Sequence, residues 1–326
     1  MISSRIGPVG VGVGVGRRGR TALVALVLAT SACGSGGHPS TGSVVGADRR
    51  LEVVASFYPL QFVVEQVGGD RVAVRNLTPA GAEPHDLELS AKDMAAVAGS
   101  DLVAYLKGFA PAVDEAVHQV ADRQGFDVGP PARLDLQTEE EGPVDTSGGQ
   151  PHLMADPHFW LDPTRLADVA DAVVARLSEL DAGSAAMYAQ HAAALRARLE
   201  ALDAEMATGL AHCASGDIVT SHLAFGYLSQ RYGLHQVGIA GLSPDAEPSA
   251  AKLAEVARFV ADHHVTTIYA ETLVDPAIAD TIARETGATT VVLDPIEGIG
   301  DTSEGADYFS VMRSDLAHLR DGQRCT

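Results

Sequence analysis

Positive charge is scarce in this chain. Its 326 residues include 23 Lys and Arg against 43 Asp and Glu, which gives a formal net charge of −20. Such a surface repels nucleic acid and anionic lipid headgroups, so the composition argues against a role that depends on either. Aromatic residues are also few, at 5% of the chain, with one tryptophan. Apolar residues nevertheless make up 46%, enough to bury the core of one large domain or of two lobes.

A long hydrophobic run is missing even near the N-terminus, where the apolar segment 21–29 is too short to span a bilayer. Arg17, Arg18 and Arg20 stand just before this segment and T-S-A-C (30–33) follows it, a pattern that predicts an export signal over the first 33 residues. Cys33 is placed as in a bacterial lipoprotein box, although Thr30 stands where leucine is more usual. We therefore expect cleavage before Cys33 and acylation of its side chain. Plain secretion without the lipid is the alternative.

Cysteine is nearly absent from the rest of the chain. Only Cys213 and Cys325 remain in the exported protein, 112 positions apart (325 − 213). An oxidising compartment allows them to pair, and closing a loop of that length adds roughly 4–5 kcal/mol of stability in the chain-entropy model. We predict this disulfide; two unpaired thiols are the alternative.

Strand-like and helix-like segments alternate from residue 51 onward, which predicts parallel sheets covered by helices on both faces. A helix from about Ser184 to Leu210 interrupts the alternation and is about 40 Å long at 1.5 Å per residue. The predicted fold is therefore α/β, with two lobes, each a parallel sheet flanked by helices, joined by one long linker helix. The predicted boundaries are a signal peptide (1–33), a flexible tether (34–48), an N-terminal lobe (49–182, with a polar loop at about 129–157), the linker helix (183–211) and a C-terminal lobe (212–326).

Three of the twelve histidines stand at strand-to-helix connections or helix entries. His85 and His222 each follow a predicted strand, and His158 lies in D-P-H-F-W just ahead of a helix. Asp294 ends the last predicted strand. Because open α/β sheets bind ligands at the carboxyl ends of their strands, these four residues are expected to converge between the lobes. Three imidazoles and one carboxylate suit Zn²⁺, whereas manganese draws more carboxylates; unrelated loop histidines are the alternative.

Residues around these four extend the hypothesis. Asp86 and Asp156 are candidates for bonding the imidazole N–H groups, and Glu271 is placed with them around the site. Trp160, next to Phe159, is expected to shield the ion from water. Binding needs neutral imidazoles, whose ordinary pKa is about 6.5, so zinc affinity is expected to fall steeply below roughly pH 6.

Five segments add a family resemblance: E-P-H-D-L-E-L-S, D-P-H-F-W-L-D-P, T-S-H-L-A-F-G-Y-L-S-Q-R-Y-G-L, E-P-S-A and V-V-L-D-P-I-E-G. In this order they resemble the periplasmic zinc/manganese-binding protein family, the substrate-binding lipoproteins of metal ABC importers, over roughly residues 50 to 320. The resemblance implies a rigid two-lobe receptor with one long helix. It also matches the family's ligand positions to His85, His158, His222 and Asp294. Members with a third histidine, as at His222, tend toward zinc, and those with a carboxylate there tend toward manganese.

The loop between the first two ligands departs from the family pattern. Many zinc-specific relatives carry a long histidine-rich loop there, whereas this segment is acidic and holds only His152. Collection of metal by Glu139, Glu140, Glu141 and His152 is one interpretation, and a solvated loop without a metal role is the other.

The sequence thus predicts an exported, lipid-anchored receptor that captures Zn²⁺ as its transported ligand and delivers it to a cognate ABC permease in the membrane. We expect a monomer that catalyses no reaction and binds no nucleic acid; a metallochaperone is a further candidate partner. The alternatives are a manganese-binding receptor or adhesin of the same family, and a zinc hydrolase with Glu271 or Asp294 as general base. Against the hydrolase, four protein ligands leave no open position and an H-E-x-x-H motif is absent.

Overall fold

A computed structural model describes residues 49–139, 153–244 and 246–326. These described residues belong to one compact unit. Within the three described ranges, no helix has both the length and the apolar character needed to cross a membrane. The predicted signal peptide, Cys33, most of the acidic loop and His152 lie outside the described residues.

The N-terminal lobe is built on a four-stranded parallel sheet with the strand order β2-β1-β3-β4. Val53 and Val54 in its central strand point to opposite faces, and both are buried, at 1% and 3% exposure. Both faces of the sheet are therefore covered, as the continuous apolar strand predicts. The elements are β1 (Leu51–Ala55), α1 (Tyr58–Gly68), β2 (Val72–Asn76), α2 (Ala91–Gly99), β3 (Leu102–Tyr105), α3 (Pro111–Val120), β4 (Gly125–Asp127) and the short α4 (Gly129–Ala132).

Two long helices follow, and signals in the sequence mark their ends. Helix α5 (Pro163–Leu180) begins with proline, and the Thr164 N–H donates to the Asp162 side chain at 2.9 Å as its N-cap. Helix α6 (Ala185–Gly209) has 25 residues, which confirms the predicted linker helix to within one residue at each end. Its buried stripe consists of Tyr188, Ala192, Leu195, Leu199, Leu202 and Met206.

The C-terminal lobe repeats the architecture. Its parallel sheet has the strand order β10-β9-β7-β8. The elements are β7 (Asp217–Thr220), α7 (Gly226–Tyr232), β8 (His235–Gly238), α8 (Ala250–Asp262), β9 (Thr267–Ala270), α9 (Ala277–Thr286), β10 (Thr289–Val292) and α10 (Tyr308–Gly322). One hydrophobic core runs through both lobes, from Val53 through Trp160 to Tyr269 and Tyr308. The predicted fold of two sheet-based lobes joined by one long helix is confirmed, while the lobe boundaries stay predictions.

The polar segment predicted at about 129–157 contains more structure than a loop. Besides α4, it forms an antiparallel pair of β5 (Gln137–Glu139) and β6 (Leu153–Ala155), with Thr138 opposite Met154. Each of these strands has three residues, too few for an alternating pattern to be recognised in the sequence. Each forms only through its hydrogen bonds with the other strand. The strand β4 likewise has no clear signal in the sequence.

The predicted disulfide is present. Cys213, which follows α6, bonds to Cys325, which follows α10. The link ties the end of the chain to the body of the C-terminal lobe, where the Thr326 N–H also donates to the His212 carbonyl at 3.0 Å.

Removing this disulfide is expected to lower the free energy of unfolding by about 4 kcal/mol in the chain-entropy model, because the unfolded chain regains a loop of more than a hundred residues. Denaturant unfolding of the Cys213→Ser/Cys325→Ser double variant, compared with the oxidised protein, measures the difference. A difference under about 1 kcal/mol would mean that the unfolded chain gains little freedom when the link is cut.

Candidate metal centre

Four side chains from both lobes, three of them buried and one partly exposed, converge in the cleft between the two sheets. His85 follows β2, and His158 lies just ahead of a 3-10 turn (Phe159–Leu161) that leads into α5. His222 follows β7, and Glu297 follows β10. Three of the four therefore lie beyond the carboxyl ends of parallel strands, where open α/β sheets bind ligands. The three predicted histidines are thus brought together.

The geometry of these four groups matches a tetrahedral metal site. Glu297 Oε1 lies 3.1 Å from His158 Nε2, 3.3 Å from His222 Nε2 and 3.5 Å from His85 Nε2. The Nε2 atoms of His158 and His222 are 3.3 Å apart. Ligand atoms at 2.0–2.1 Å from a tetrahedral zinc lie about 3.3 Å from one another, so these four distances are close to the spacing that zinc requires. All four donor atoms lie within 4.8 Å of one another, and within the described ranges this is the one group of three or more such side chains that do.

Hydrogen bonds from outside the cluster orient two of the imidazoles. Asp156 accepts from His158 Nδ1 at 2.8 Å and from the His158 backbone N–H at 2.9 Å. Glu271 does the same for His222, through Nδ1 and through the backbone N–H at 2.9 Å. With Nδ1 engaged, each ring presents Nε2 to the centre, and the carboxylate raises the basicity of the ring. Asp156 and Glu271, which the sequence analysis named as neighbours of the site, thus contact His158 and His222.

Asp294 has a different position from the one predicted. Its carboxylate is not one of the four converging groups. Instead, Asp294 Oδ1 accepts from the Ile296 backbone N–H at 2.8 Å and closes a tight turn. Ile296 adopts a φ of 57°, so the chain reverses and Glu297, three residues after Asp294, faces the imidazoles. The available signal was the acidic residue in D-P-I-E-G, whose side chain is one methylene longer than that of aspartate.

The other predicted neighbours divide between the site and its surroundings. Trp160 is fully buried; its indole N–H donates to the Pro295 carbonyl at 2.7 Å, and its ring packs edge-on against His158 and Phe57. Asp86 is exposed, and within the described residues its carboxylate bonds none of the three imidazoles. Glu139 is described only as the last residue of β5.

Glu83 is a neighbour that the sequence hypothesis missed. Its Oε1 accepts from the His85 backbone N–H at 3.0 Å. Burial, and then the negative charge of Glu297, raise the pKa of Glu83 to about 9. A carboxyl group with this pKa is neutral at pH 7 and adds no charge to the site.

The charged groups of the cluster shift one another's pKa values. Burial raises the pKa of Glu297, but hydrogen bonds from His158, His222 and His85 outweigh burial and hold that pKa well below its usual range. Burial lowers the pKa of His222, but the charge and hydrogen bond of Glu271, together with Glu297, leave it well above 6.5. For His158, Asp156 and Glu297 likewise outweigh burial and raise the pKa. Only His85, where burial dominates, has a lowered pKa.

His85 lines a cavity of about 430 Å³. Its walls come from both lobes, with Lys107 and Phe109 on one side and Leu242 and Ser243 on the other. The His85 side chain is 10% exposed, whereas those of His158, His222 and Glu297 are at most 1% exposed. An ion entering the cleft therefore meets His85 first.

A cation held at this point touches side chains of both lobes at once, which is the binding mode of two-lobed solute-binding proteins. This chain belongs to the family described as zinc-uptake complex component A, periplasmic, which matches residues 53–322.

Two curated relatives are similar to this chain over most of its length. The zinc-binding lipoprotein AdcA of Streptococcus pneumoniae is 37% identical over 280 residues, which are 84% of this chain. The high-affinity zinc uptake system protein ZnuA of Bacillus subtilis is 33% identical and aligns with 92% of this chain and 95% of its own. This chain spans about 56% of the length of AdcA, and so corresponds to only part of that relative.

The solved structures agree with this placement. The Zn(II)-bound ZnuA-like domain of S. pneumoniae AdcA matches 84% of this chain and 99% of its own length, with a TM-score of 0.67 and 33% identity. The laminin-binding protein Lmb of Streptococcus agalactiae, described as a bifunctional protein with adhesin and metal transporting activity, matches the same shares with a TM-score of 0.71 and 31% identity.

Proposed function

We propose that this chain is an extracytoplasmic receptor that binds one Zn²⁺ between its lobes and delivers it to an ABC-type permease. His85, His158, His222 and Glu297 hold the ion as its four ligands. The observation that carries the proposal is the convergence of three Nε2 atoms and one carboxylate oxygen at zinc spacing in a buried cleft. The zinc-binding names of the relatives AdcA and ZnuA support it.

The donor set favours zinc over manganese. Imidazole nitrogen suits Zn²⁺, and four donors complete the tetrahedral shell that structural zinc prefers. Manganese prefers more oxygen ligands, and here only Glu297 supplies one to the four-atom group. In this proposal, zinc enters past His85, and Glu297 exchanges its hydrogen bonds with the imidazoles for a bond to the ion.

The same geometry argues against a catalytic zinc. Four protein ligands leave no position for the water that a zinc hydrolase activates. Glu271 cannot serve as a free general base, because both of its oxygens already accept hydrogen bonds from His222. We therefore propose a binding protein that catalyses no reaction.

The partners and the anchor complete the proposal. The permease is a membrane protein, and acylated Cys33 would hold the receptor on the outer face of the same membrane. A monomer suffices, because both lobes that line the site belong to one chain. Loading by a metallochaperone is compatible with the open mouth of the cavity beside His85.

A competition titration tests the metal. The chain from residue 34 onward is stripped of metal, and zinc and manganese are each titrated against a chromophoric chelator. We expect one tightly bound zinc per chain. The manganese affinity should be lower by at least about 100-fold, since a set of three nitrogen donors and one oxygen donor suits manganese poorly. Tighter binding of manganese than of zinc would replace the proposal with a manganese receptor, and no tight site for either ion would remove it.

A further inference from the structure

Helix α10 contacts the loops that carry two of the proposed ligands. Tyr308 and Asp315 lie seven residues apart and so share one face of the helix. Tyr308 is fully buried and Asp315 is 2% exposed. Neither residue belongs to the group of converging side chains.

Three hydrogen bonds connect this helix face with the two ligand loops. The Tyr308 hydroxyl donates to the Trp160 carbonyl at 2.6 Å, in the turn that directly follows His158. The Trp160 indole N–H donates to the Pro295 carbonyl at 2.7 Å, two residues before Glu297. The Asp294 N–H donates to Asp315 Oδ1 at 2.9 Å, and this third bond links the Glu297 loop back to α10. The helix, the His158 loop and the Glu297 loop therefore form a closed ring of hydrogen bonds.

The Glu297 loop needs such support because its backbone is strained. Ile296 is a buried, β-branched residue in the left-handed region, with a φ of 57°, a conformation that such residues rarely adopt without external constraint. Asp294 holds it from one side through the Ile296 N–H, and Asp315 holds Asp294. If the turn relaxes, Glu297 loses the direction that brings its Oε1 to the imidazoles.

Helix α10 is itself well anchored. Its first turn is closed by Asp307 and Ser310, each side chain bonding the backbone N–H of the other. Its far end is tied through Cys325 to Cys213. A helix fixed at both ends offers a rigid reference for the two loops.

We propose that Tyr308 and Asp315 are positioning residues of the metal site, which hold the His158 and Glu297 loops in register through the ring of hydrogen bonds. This inference rests on the proposed zinc site and extends it to residues that never touch the ion. Metal affinity and coordination geometry are then set partly by α10.

Four variants test the inference. Tyr308→Phe removes one hydroxyl, and Asp315→Leu removes the acceptor for Asp294. Asp315→Asn keeps an oxygen that can accept from the Asp294 N–H. Burial raises the pKa of Asp315 well above its usual range, so a neutral side chain is tolerated at this position. Tyr188→Phe is the matched control, because it also removes one buried tyrosine hydroxyl. This hydroxyl donates to Asp181 at 3.0 Å, and Asp181 also bonds Arg71, which lies at the opposite end of β2 from His85.

Zinc affinity, zinc dissociation rate and the visible spectrum of bound Co²⁺ are measured for each variant, with thermal unfolding of the metal-free protein alongside. Tyr308→Phe and Asp315→Leu are expected to weaken zinc by about tenfold, the lower end of the range for residues behind metal ligands, and to weaken the strong absorption of tetrahedral Co²⁺. Asp315→Asn is expected to stay close to the original protein. Tyr188→Phe should lower thermal stability without changing the affinity or the spectrum.

The outcomes separate the two proposals. If Tyr308→Phe and Asp315→Leu lose only thermal stability, as Tyr188→Phe does, the positioning role is overturned while the zinc site stands. If Asp315→Leu does not fold, Tyr308→Phe decides alone by the same three measurements. If the original protein binds no zinc, or His222→Ala binds it equally well, the proposed function fails and the positioning role fails with it.

Discussion

Replacement of Glu297 by alanine is expected to weaken zinc binding by more than about 100-fold, because removing a direct ligand costs more than the 10–100-fold loss typical of residues behind the ligands. The side chain is fully buried and its Oε1 lies 3.1–3.5 Å from all three imidazoles. Alanine leaves three nitrogens and a void, and the ion must then complete its shell with water in a buried cleft. The competition titration described above measures the change.

Asp294→Asn is the matched control for this substitution. An asparagine retains an oxygen that accepts from the Ile296 N–H, so the turn that presents Glu297 is preserved. We expect zinc affinity within a few-fold of the original protein. The reverse order, with Asp294→Asn losing far more zinc affinity than Glu297→Ala, would identify Asp294 as the ligand, as the sequence hypothesis had it.

Zinc binding at neutral pH is expected to release protons, and zinc affinity is expected to decline as the pH falls toward 6.5 from above. The pKa values of His158 and His222 are raised above 6.5, the ordinary value, in the metal-free protein. Zinc requires the neutral Nε2 of each ring, so any proton on it must leave when the ion binds. The sequence alone placed this decline below roughly pH 6, and the neighbouring carboxylates move it upward.

The direction of this pH dependence follows from the raised pKa values of His158 and His222. Below the folded pKa of each histidine, the metal-free state holds a proton that the zinc-bound state does not, so affinity falls as pH falls, by about tenfold per pH unit for each proton displaced. Calorimetric titration of zinc at pH 7 in buffers of different protonation enthalpy counts the protons released. We expect at least one per zinc. A release of none would show that both rings are neutral in the metal-free protein.

Glu271→Gln should reduce this proton release. The charge and hydrogen bond of Glu271 are the main causes that raise the pKa of His222 against burial. Glutamine keeps a side chain of the same shape but removes the charge, so His222 should lose its proton at lower pH. An unchanged proton count in this variant would assign the released protons to other groups.

Local signals in the sequence were sufficient for much of the architecture. The proline and the aspartate at the start of α5, and the apolar stripe of α6, set the positions of these helices within one residue or so. Short apolar strands alternating with helices predicted both parallel sheets. The three histidines could be selected because each stands next to an element end, a property visible in the sequence. The disulfide followed from having only two cysteines in the exported chain.

The fourth proposed ligand depends on contacts that the sequence does not display. Asp294 ends the last strand as predicted, but whether it or Glu297 faces the imidazoles depends on the left-handed backbone of Ile296. That backbone is held by Asp294, whose own N–H donates to Asp315 on α10, 21 residues further along the chain. A turn of this kind has no local signature, because isoleucine seldom adopts such a φ.

By itself, then, the sequence determined most of the helices and strands, the pairing of the two sheets with one long helix, and the choice of three histidines as candidate ligands, because each of these follows from local periodicity, caps and element ends. Only the tertiary structure decided which carboxylate joins them, how Asp156 and Glu271 orient the rings, and where the site titrates. Those properties depend on distances between residues that are far apart in the chain, such as His158 and Glu297. Burial and hydrogen bonding across the cleft determine these distances.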